Sequence, residues 1–421
     1  MKKYISAAVM AVLLLVLCCA SVMPVQSGFL SDVEESDPNY PFIVELAQKG
    51  ILSAYLDETF RADETVTRRT AMEKMLEVLD AVGLPLEEAA VLNKLVYIFD
   101  ETGLDEPVTR LEAAGMAARA LDLLPMAGES PYADCSDGYV VKLWERGVWV
   151  TGDALFRPGD PLTRGELAGL LWHMARFQPA EEAFRYSGYW VEQLEGVRPY
   201  GYDDALFGET DGAVTCMAEG YTALQGVDVS GFQGDIDWGR VKAAGIDFAI
   251  VRVGGRFMQS GNLYDDSYFE RNVEGALAAG LQVGVYFFSQ AITTEEGVEE
   301  ADYVLSKIEG YDITMPVIMD WEHLDGSDSR VYGVEPAQVT AAMRAFCDRV
   351  RQAGYEPMIY MNSYCGYIKM DLRQLTDVGI WFAQYAPEPV FRYHFDMWQY
   401  TDRGQVDGIA GNVDRNLYFQ K

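Results

Sequence analysis

The pair Thr67-Arg68 recurs as Thr109-Arg110 and again as Thr163-Arg164, each time closing a similar stretch. The three stretches read Thr59-Phe-Arg-Ala-Asp-Glu-Thr-Val-Thr-Arg68, Gly103-Leu-Asp-Glu-Pro-Val-Thr-Arg110 and Leu155-Phe-Arg-Pro-Gly-Asp-Pro-Leu-Thr-Arg164. Such self-similarity constrains a fold strongly, because each unit must bury the same face against its neighbours. After each pair come apolar residues at helical spacing: Ala71, Met72, Met75, Leu76 and Leu79; Ala113, Met116, Ala117 and Leu121; Leu167, Leu170, Leu171 and Met174. The Thr stands where a helix needs its N-cap. Upstream of the first and third copies, Phe42 to Gly50 and Tyr139 to Gly147 carry another helical pattern that ends in a glycine stop. Each unit reads helix, turn-rich loop, helix, with 42 and 54 residues between successive pairs. The middle copy is degenerate and its first helix poorly defined.

The repeat resembles the S-layer homology module, with copies at 31–85, 86–126 and 127–176. The resemblance implies an N-terminal all-α pseudo-threefold bundle that holds secondary polysaccharide of a Gram-positive cell wall. It carries polysaccharide binding onto Arg68, Arg110 and Arg164, with Trp144 lining a groove. Glu112 and Glu166 match the acid of the motif, whereas Thr70 replaces it in the first copy. The residues alone leave a second reading open, in which Thr-Arg only caps and salt-bridges the bundle. A helix N-terminus attracts anions, not cations, so an arginine placed there favours a role in gripping an external anion.

Residues 1–30 read as an export signal: Lys2 and Lys3, then an apolar run from Ile5 to Cys19, then small residues with Ala20 and Ser27 as cleavage positions. The run is shorter than the roughly 20 residues a membrane span needs. Cys18 and Cys19 keep a lipoprotein reading open. No later stretch is apolar enough to cross a membrane, so no membrane contact is expected once the signal is removed. Cys135, Cys216, Cys347 and Cys365 do not make a disulfide framework. The formal charge of −32, from 65 acidic and 33 basic residues, excludes nucleic acid as a partner. No metal and no cofactor are expected, because His173, His323 and His394 lie far apart and no CxxC occurs.

Residues 177–222 carry acids, Tyr and Gly without periodicity and read as an acidic linker with local packing around Tyr186, Tyr189 and Trp190. From 223 to 421 short β-rich runs alternate with helical ones. Strands are expected at Gly226–Val229, Phe248–Val253, Gln282–Phe288, Pro316–Asp320, Pro357–Met361, Ile380–Tyr385 and Met397–Tyr400, with helices at Trp238–Ala244, Asp266–Ala279, Glu295–Ile308 and Gln338–Gln352. This alternation predicts an α/β fold with a parallel sheet or TIM-like barrel whose last strands lack full helices. Chemistry in such barrels sits at the C-terminal strand ends, where Asp228, Asp320, Glu322 and Asp414 fall. In Asp320-Trp321-Glu322 the two carboxylates share one side of a strand, roughly 6.5–7 Å apart, with the Trp turned away. Like charges that close raise one pKa, so one group can donate a proton while the other stays ionised. His323 should point to the opposite side and is read as structural.

Gly226-Val-Asp-Val-Ser-Gly-Phe-Gln-Gly-Asp-Ile-Asp-Trp238, Val241-Lys-Ala-Ala-Gly-Ile-Asp-Phe-Ala-Ile-Val-Arg252, Gly280-Leu-Gln-Val-Gly-Val-Tyr-Phe-Phe-Ser289, Pro316-Val-Ile-Met-Asp-Trp-Glu322, Gly354-Tyr-Glu-Pro-Met-Ile-Tyr360, Trp381-Phe-Ala-Gln-Tyr385, Trp398-Gln-Tyr400 and Gly408-Ile-Ala-Gly-Asn-Val-Asp414 follow one another in a set order. That order resembles the family 25 glycoside hydrolases, the Chalaropsis-type lysozymes. The resemblance implies a (β/α)5(β)3 barrel and hydrolysis of the β-1,4 bond between N-acetylmuramic acid and N-acetylglucosamine. It assigns Glu322 as general acid and then base, and Asp320 as the group orienting the substrate's N-acetyl arm. Asp228 and Asp414 complete the acidic floor, and Tyr286, Tyr360, Trp381, Tyr385, Trp398 and Gln399 line the sugar groove. One departure stands out: many members carry Lys-x-Ser/Thr-Glu-Gly after the second strand, whereas this chain has Arg252-Val-Gly-Gly-Arg256. The sequence thus predicts a secreted, wall-anchored muramidase whose partners are peptidoglycan and secondary wall polysaccharide. The alternative is a catalytically silent wall-binding scaffold.

Overall fold

A computed structural model describes residues 30–81, 103–125, 130–149, 153–203, 206–210, 213–216, 222–323 and 329–420. The expected export signal lies outside them, as does most of the stretch before the middle Thr-Arg pair. The chain forms two compact units that divide between Glu192 and Gln193. No described helix is long and apolar enough to cross a membrane.

In the first unit the Thr-Arg pairs start helices, as their spacing predicts. The helices are α1 (Tyr40–Gln48), α2 (Arg68–Ala81), α3 (Arg110–Ala120), α4 (Gly138–Glu145) and α5 (Arg164–Met174). Thr109 and Thr163 cap α3 and α5 in reciprocal boxes with Glu112 and Glu166. In α2 the cap is weaker: Thr67 Oγ1 accepts from the backbone N–H of Thr70, which has no carboxylate to return the bond. Gly50 and Gly147 take positive φ after α1 and α4, the backbone region that stops a helix at little cost to glycine.

The three loops before the pairs interlock. Val66 N–H donates to the Leu162 carbonyl, Leu162 N–H to Val108, and Val108 N–H to Val66, all within 2.8–3.0 Å. Arg68, Arg110 and Arg164 continue the pattern, with backbone N–H donated to the carbonyls of Glu106, Asp160 and Glu64. Each repeat therefore completes the hydrogen bonding of another. Phe60 and Phe156, at matching places in copies one and three, are fully buried with Leu46, Met75, Met116, Leu143 and Leu171.

The stretch expected as a linker carries ordered structure on both sides of the unit boundary. Strands β1 (Phe184–Tyr186) and β2 (Tyr189–Val191) form a hairpin in the first unit, where Trp190 N–H donates to the Asp122 carbonyl. In the second unit β3 (Phe207–Thr210) pairs with β4 (Ala213–Cys216), and Tyr202 is buried against Phe395 and Phe419. Its aromatic residues pack into both units, and its Glu192 pairs with Lys142 at 2.7 Å in the first.

The second unit is a closed eight-stranded barrel. Its strands are β5 (Thr222–Val229), β6 (Phe248–Arg256), β8 (Gln282–Ser289), β9 (Val317–Trp321), β10 (Pro357–Asn362), β11 (Gly379–Ala383), β12 (Met397–Gly404) and β13 (Val413–Gln420). A short β7 (Leu263–Asp265) folds back on the end of β6. Pairing is parallel from β5 to β12 and antiparallel on both sides of β13, and β5–β6 closes the ring. Helices α6 (Trp238–Ala243), α7 (Phe269–Ala278), α8 (Thr294–Ile308) and α9 (Pro336–Gln352) cover the first four strands. After β10 only short turns of helix at Cys365–Lys369 and Leu372–Gln374 replace a fifth full helix. The closing strand β13 was not among the strands expected from periodicity; its Val413, Leu417 and Phe419 face out, and Asp414, Asn416 and Tyr418 alternate with them.

Two cores result. Phe248, Ile250, Ile318, Met358, Trp381 and Met397 fill the barrel interior, while Val251, Phe287, Met319 and Phe382 pack with Val304 and Phe346 of the surrounding helices. Gly226 lets the Phe248 ring cross β5, since a Cβ there would stand 2.1 Å from that ring. Gly226→Ala should therefore lower barrel stability by about 1–3 kcal/mol, read as a lower urea midpoint; an unchanged midpoint would show that the ring can move aside.

Candidate active site

Strand alternation places the acids. Along β9, Ile318 and Asp320 point into the barrel, whereas Met319 and Trp321 point out, and Trp321 is fully buried with its Nε1–H donating to the Ala291 carbonyl at 3.0 Å. Glu322 follows where β9 ends, half-buried at the mouth. On the opposite side the register sets Asp414 of β13 against Asp228 of β5.

Asp228 is the centre of a hydrogen-bonded floor. Its Oδ2 accepts from Gln399 Nε2 at 2.9 Å and from Asn416 Nδ2 at 2.8 Å. The oxygens of both amides are occupied. Gln399 Oε1 accepts from the Tyr360 and Tyr385 hydroxyls at 3.1 and 3.0 Å, and Asn416 Oδ1 from Trp381 Nε1 at 2.8 Å. Asp320 has no such support: its Oδ1 is buried without a hydrogen-bond partner.

Burial raises all four acids. Asp228 moves to about 6, with the two amide bonds resisting the shift. Asp414 moves to about 8, through burial and then the charges of Asp228 and Asp402. Asp320 lies well above the usual carboxylate range through burial, Glu322 and Asp228, with Arg252 opposing. Glu322 is raised by burial and by Asp228. The cluster cannot ionise completely near neutral pH, so it holds a proton that an accessible member can donate. Glu322 is the more exposed of the β9 pair.

The expected groove residues divide. Tyr286 and Tyr360 face the interior beside the acids, and Tyr385 stands at the rim with 53% exposure. Gln399 and Trp381 lie beneath them as the support just described. Trp398 is corrected: it is fully buried on the outer face of β12, with Phe207 edge-on and Nε1–H donating to the Gln384 carbonyl, because β12 alternation turns it away from Gln399. Arg252, Asp266 and Asn416 were not expected near the acids; Asn416 lies two residues beyond Asp414 on a strand that periodicity missed. The described residues contain no group of side chains able to hold a metal ion.

In the first unit Arg68 Nη2 pairs with Glu112 at 2.7 Å and Arg110 Nη1 with Glu166. Arg110 is corrected as a surface contact: it is 4% exposed, with its guanidinium near the Trp149 and Phe156 rings. Arg164 breaks the series, because Thr70 stands where its carboxylate would be. It donates to the Phe60 and Ser53 carbonyls at 2.9 and 3.1 Å, faces the Tyr55 and Phe60 rings, and has no ion pair among the described residues. Trp144 is 46% exposed on α4.

Two stretches of the chain match known families. Residues 227–409 match the family model of glycosyl hydrolases family 25, and residues 30–72 that of the S-layer homology domain. Lysozyme M1 of Streptomyces globisporus is 28% identical over 254 residues, covering 56% of this chain and 78% of that protein. The autolytic lysozyme of Clostridium acetobutylicum is 26% identical over 199 residues, covering 47% of this chain and 56% of the relative's length. The crystal structure of a bacterial lysozyme from Streptomyces coelicolor is 28% identical, with a TM-score of 0.41, over 47% of this chain and 92% of that one.

The raised acids make a stability prediction. A carboxyl raised on folding binds more protons in the native than in the unfolded state between its ordinary pKa, about 4, and its folded value. Stability then falls as pH rises through that window. For Asp414 the window ends at about 8. Asn at 414 does not titrate, so the melting temperature of Asp414→Asn minus that of the wild type should grow from pH 4 to 8, reaching at least about 2 °C. A difference that stays flat with pH would mean that Asp414 titrates normally.

Proposed function

We propose that the protein is a cell-wall muramidase, a reading supported by the match of residues 227–409 to the family model of glycosyl hydrolases family 25. It cuts the β-1,4 bond between N-acetylmuramic acid and N-acetylglucosamine in peptidoglycan, while its N-terminal repeats hold secondary wall polysaccharide. The observation that carries the catalytic half is the paired geometry of Asp320 and Glu322 above the Asp228 floor.

Glu322, raised by burial and by Asp228, enters protonated and donates to the glycosidic oxygen as the bond to the leaving sugar breaks. The unpartnered Oδ1 of Asp320 accepts the N–H of the substrate's 2-acetamido group. That bond aims the acetamido oxygen at the anomeric carbon, where it forms the second bond of a cyclic oxazolinium. Such substrate assistance is a recognised exception to the two-carboxylate scheme. Glu322, now a carboxylate, takes a proton from the water that opens the ring, and the configuration is retained. The negative floor around Asp228 stabilises the positive charge that grows on the sugar. Tyr385 at the rim offers a ring face to a sugar.

Export after loss of residues 1–30 would put the protein at the surface of a Gram-positive-type bacterium. There, tethering raises the local concentration of enzyme at an immobile polymer. Arg164 is the arginine best placed to meet an acidic polysaccharide, since Arg68 and Arg110 already face carboxylates.

Glu322→Gln should lower reducing-end release from peptidoglycan about a thousandfold while the far-UV circular dichroism spectrum stays that of the folded protein; wild-type-like activity in that variant would show that Glu322 is not the acid, and no release by the wild type would leave the scaffold reading standing. For the tether, full-length Glu322→Gln protein should pellet with wall sacculi and lose much of that binding when Arg164→Ala is added. If removing the secondary polysaccharide changes neither protein's pelleting, the repeats do not bind it.

A further inference from the structure

Among the described residues, a guanidinium stands beside the carboxyls of the barrel mouth. Arg252 lies on β6 two residues beyond Ile250, so it points inward, beside Tyr286 in the register. Its Nε donates to Asp266 Oδ2 at 2.8 Å. Asp266 is itself fixed by the backbone N–H groups of Gly231 and Tyr268 at 3.0 and 2.9 Å. The inner edge of the guanidinium is thus clamped. Its Nη atoms have no hydrogen-bond partner among the described residues, and the side chain keeps 15% exposure. Phe232, 86% exposed, holds its ring 5.0 Å from the guanidinium carbon.

The salt bridge to Asp266 uses only the Nε edge of Arg252. Arg252 is close enough to Asp320 to oppose its raised pKa, yet Asp320 Oδ1 stays unpartnered. The clamp therefore aims the two Nη groups at the open mouth, in the fork geometry that grips a carboxylate through both oxygens. The exposed Phe232 ring shields that fork from water on one side, which strengthens a charge pair.

We propose that Arg252 is a subsite for a carboxylate carried by the glycan, next to the bond that Glu322 and Asp320 attack. The proposal rests on the peptidoglycan reading above. Peptidoglycan offers this chemistry from two sources: the lactyl carboxylate of muramic acid where the stem peptide has been removed, and the free carboxylates of the peptide where it remains. The surrounding acids repel either one, so a fixed guanidinium decides which strands enter.

The test uses full-length wild type, Arg252→Gln and Arg252→Lys. Substrates are intact peptidoglycan, glycan strands stripped of peptide by an amidase, and each of these with its carboxyls converted to methylamides. Reducing-end release gives kcat/KM. Arg252→Gln should lose roughly 10–100-fold on a carboxylate-bearing substrate and at least tenfold less on its methylamide, with Arg252→Lys in between. Selective loss on stripped strands identifies the lactyl carboxylate, and selective loss on intact peptidoglycan identifies the stem peptide; either supports the subsite. An equal loss on free and amidated forms, or no loss on either, overturns it. If the wild type cuts none of the four substrates, the peptidoglycan reading falls, and the subsite with it.

Discussion

Asp228 sits on the first barrel strand, and its hydrogen bonds come from the last two. Gln399 on β12 and Asn416 on β13 each present an N–H to the same carboxylate oxygen. Neither amide can turn over, because two tyrosine hydroxyls and an indole already occupy their oxygens. The seam where the sheet closes is thus locked by a polar network whose amide oxygens are all taken. The side chains that hold Asp228 also hold Tyr360, Tyr385 and Trp381, so the shape of the mouth and the charge of its floor are one arrangement.

That arrangement is costly. A buried acceptor without a donor, such as Asp320 Oδ1, costs about 1–3 kcal/mol, and four crowded carboxyls repel one another. The barrel tolerates this because its surroundings are over-determined. At the end of β8, Ser289 donates to Glu300 at 2.5 Å, and Glu300 is paired with the buried Arg256 at 2.6 Å. The next residue, Gln290, reaches across to the Glu322 carbonyl at 3.2 Å. The backbone of Glu322, the proposed acid, is therefore pinned from the neighbouring strand. Strain of this kind belongs where chemistry will relieve it.

Much of this was legible in the sequence. Period-two alternation turned Asp320 inward and Trp321 outward, because β9 pairs in regular register on both sides. The four helices after the early strands fell within a few residues of their expected spans. Trp398 was misplaced because family order located its strand but not the phase of its alternation, and Gln399, one residue on, takes the inward position. Asn416 was missed with β13, whose charged and amide residues hide its pairing until β5 and β12 flank it. Arg252 stood out only as a departure from the family motif; its clamp, Asp266, is 14 residues away and is brought close by β7 folding back.

The helical repeats show the same logic in a simpler form. Interlocked loops give each Thr-Arg arginine a preset partner, the glutamate of the next repeat. Copies two and three supply it, as Glu112 and Glu166. Copy one supplies Thr70, so the ring of ion pairs opens at Arg164. In residues 31–222, which hold 36 acids and 15 bases, such an opening is the least expected place to leave a carboxylate out. A ring needed only for stability gains from closing its third pair. One left open, with its guanidinium propped by two carbonyls and two aromatic rings, keeps a positive site ready in an otherwise repulsive field. The degenerate position and the acidic surroundings thus both support the proposed tether, in which an acidic wall polymer brings the charge that the protein does not supply at Arg164.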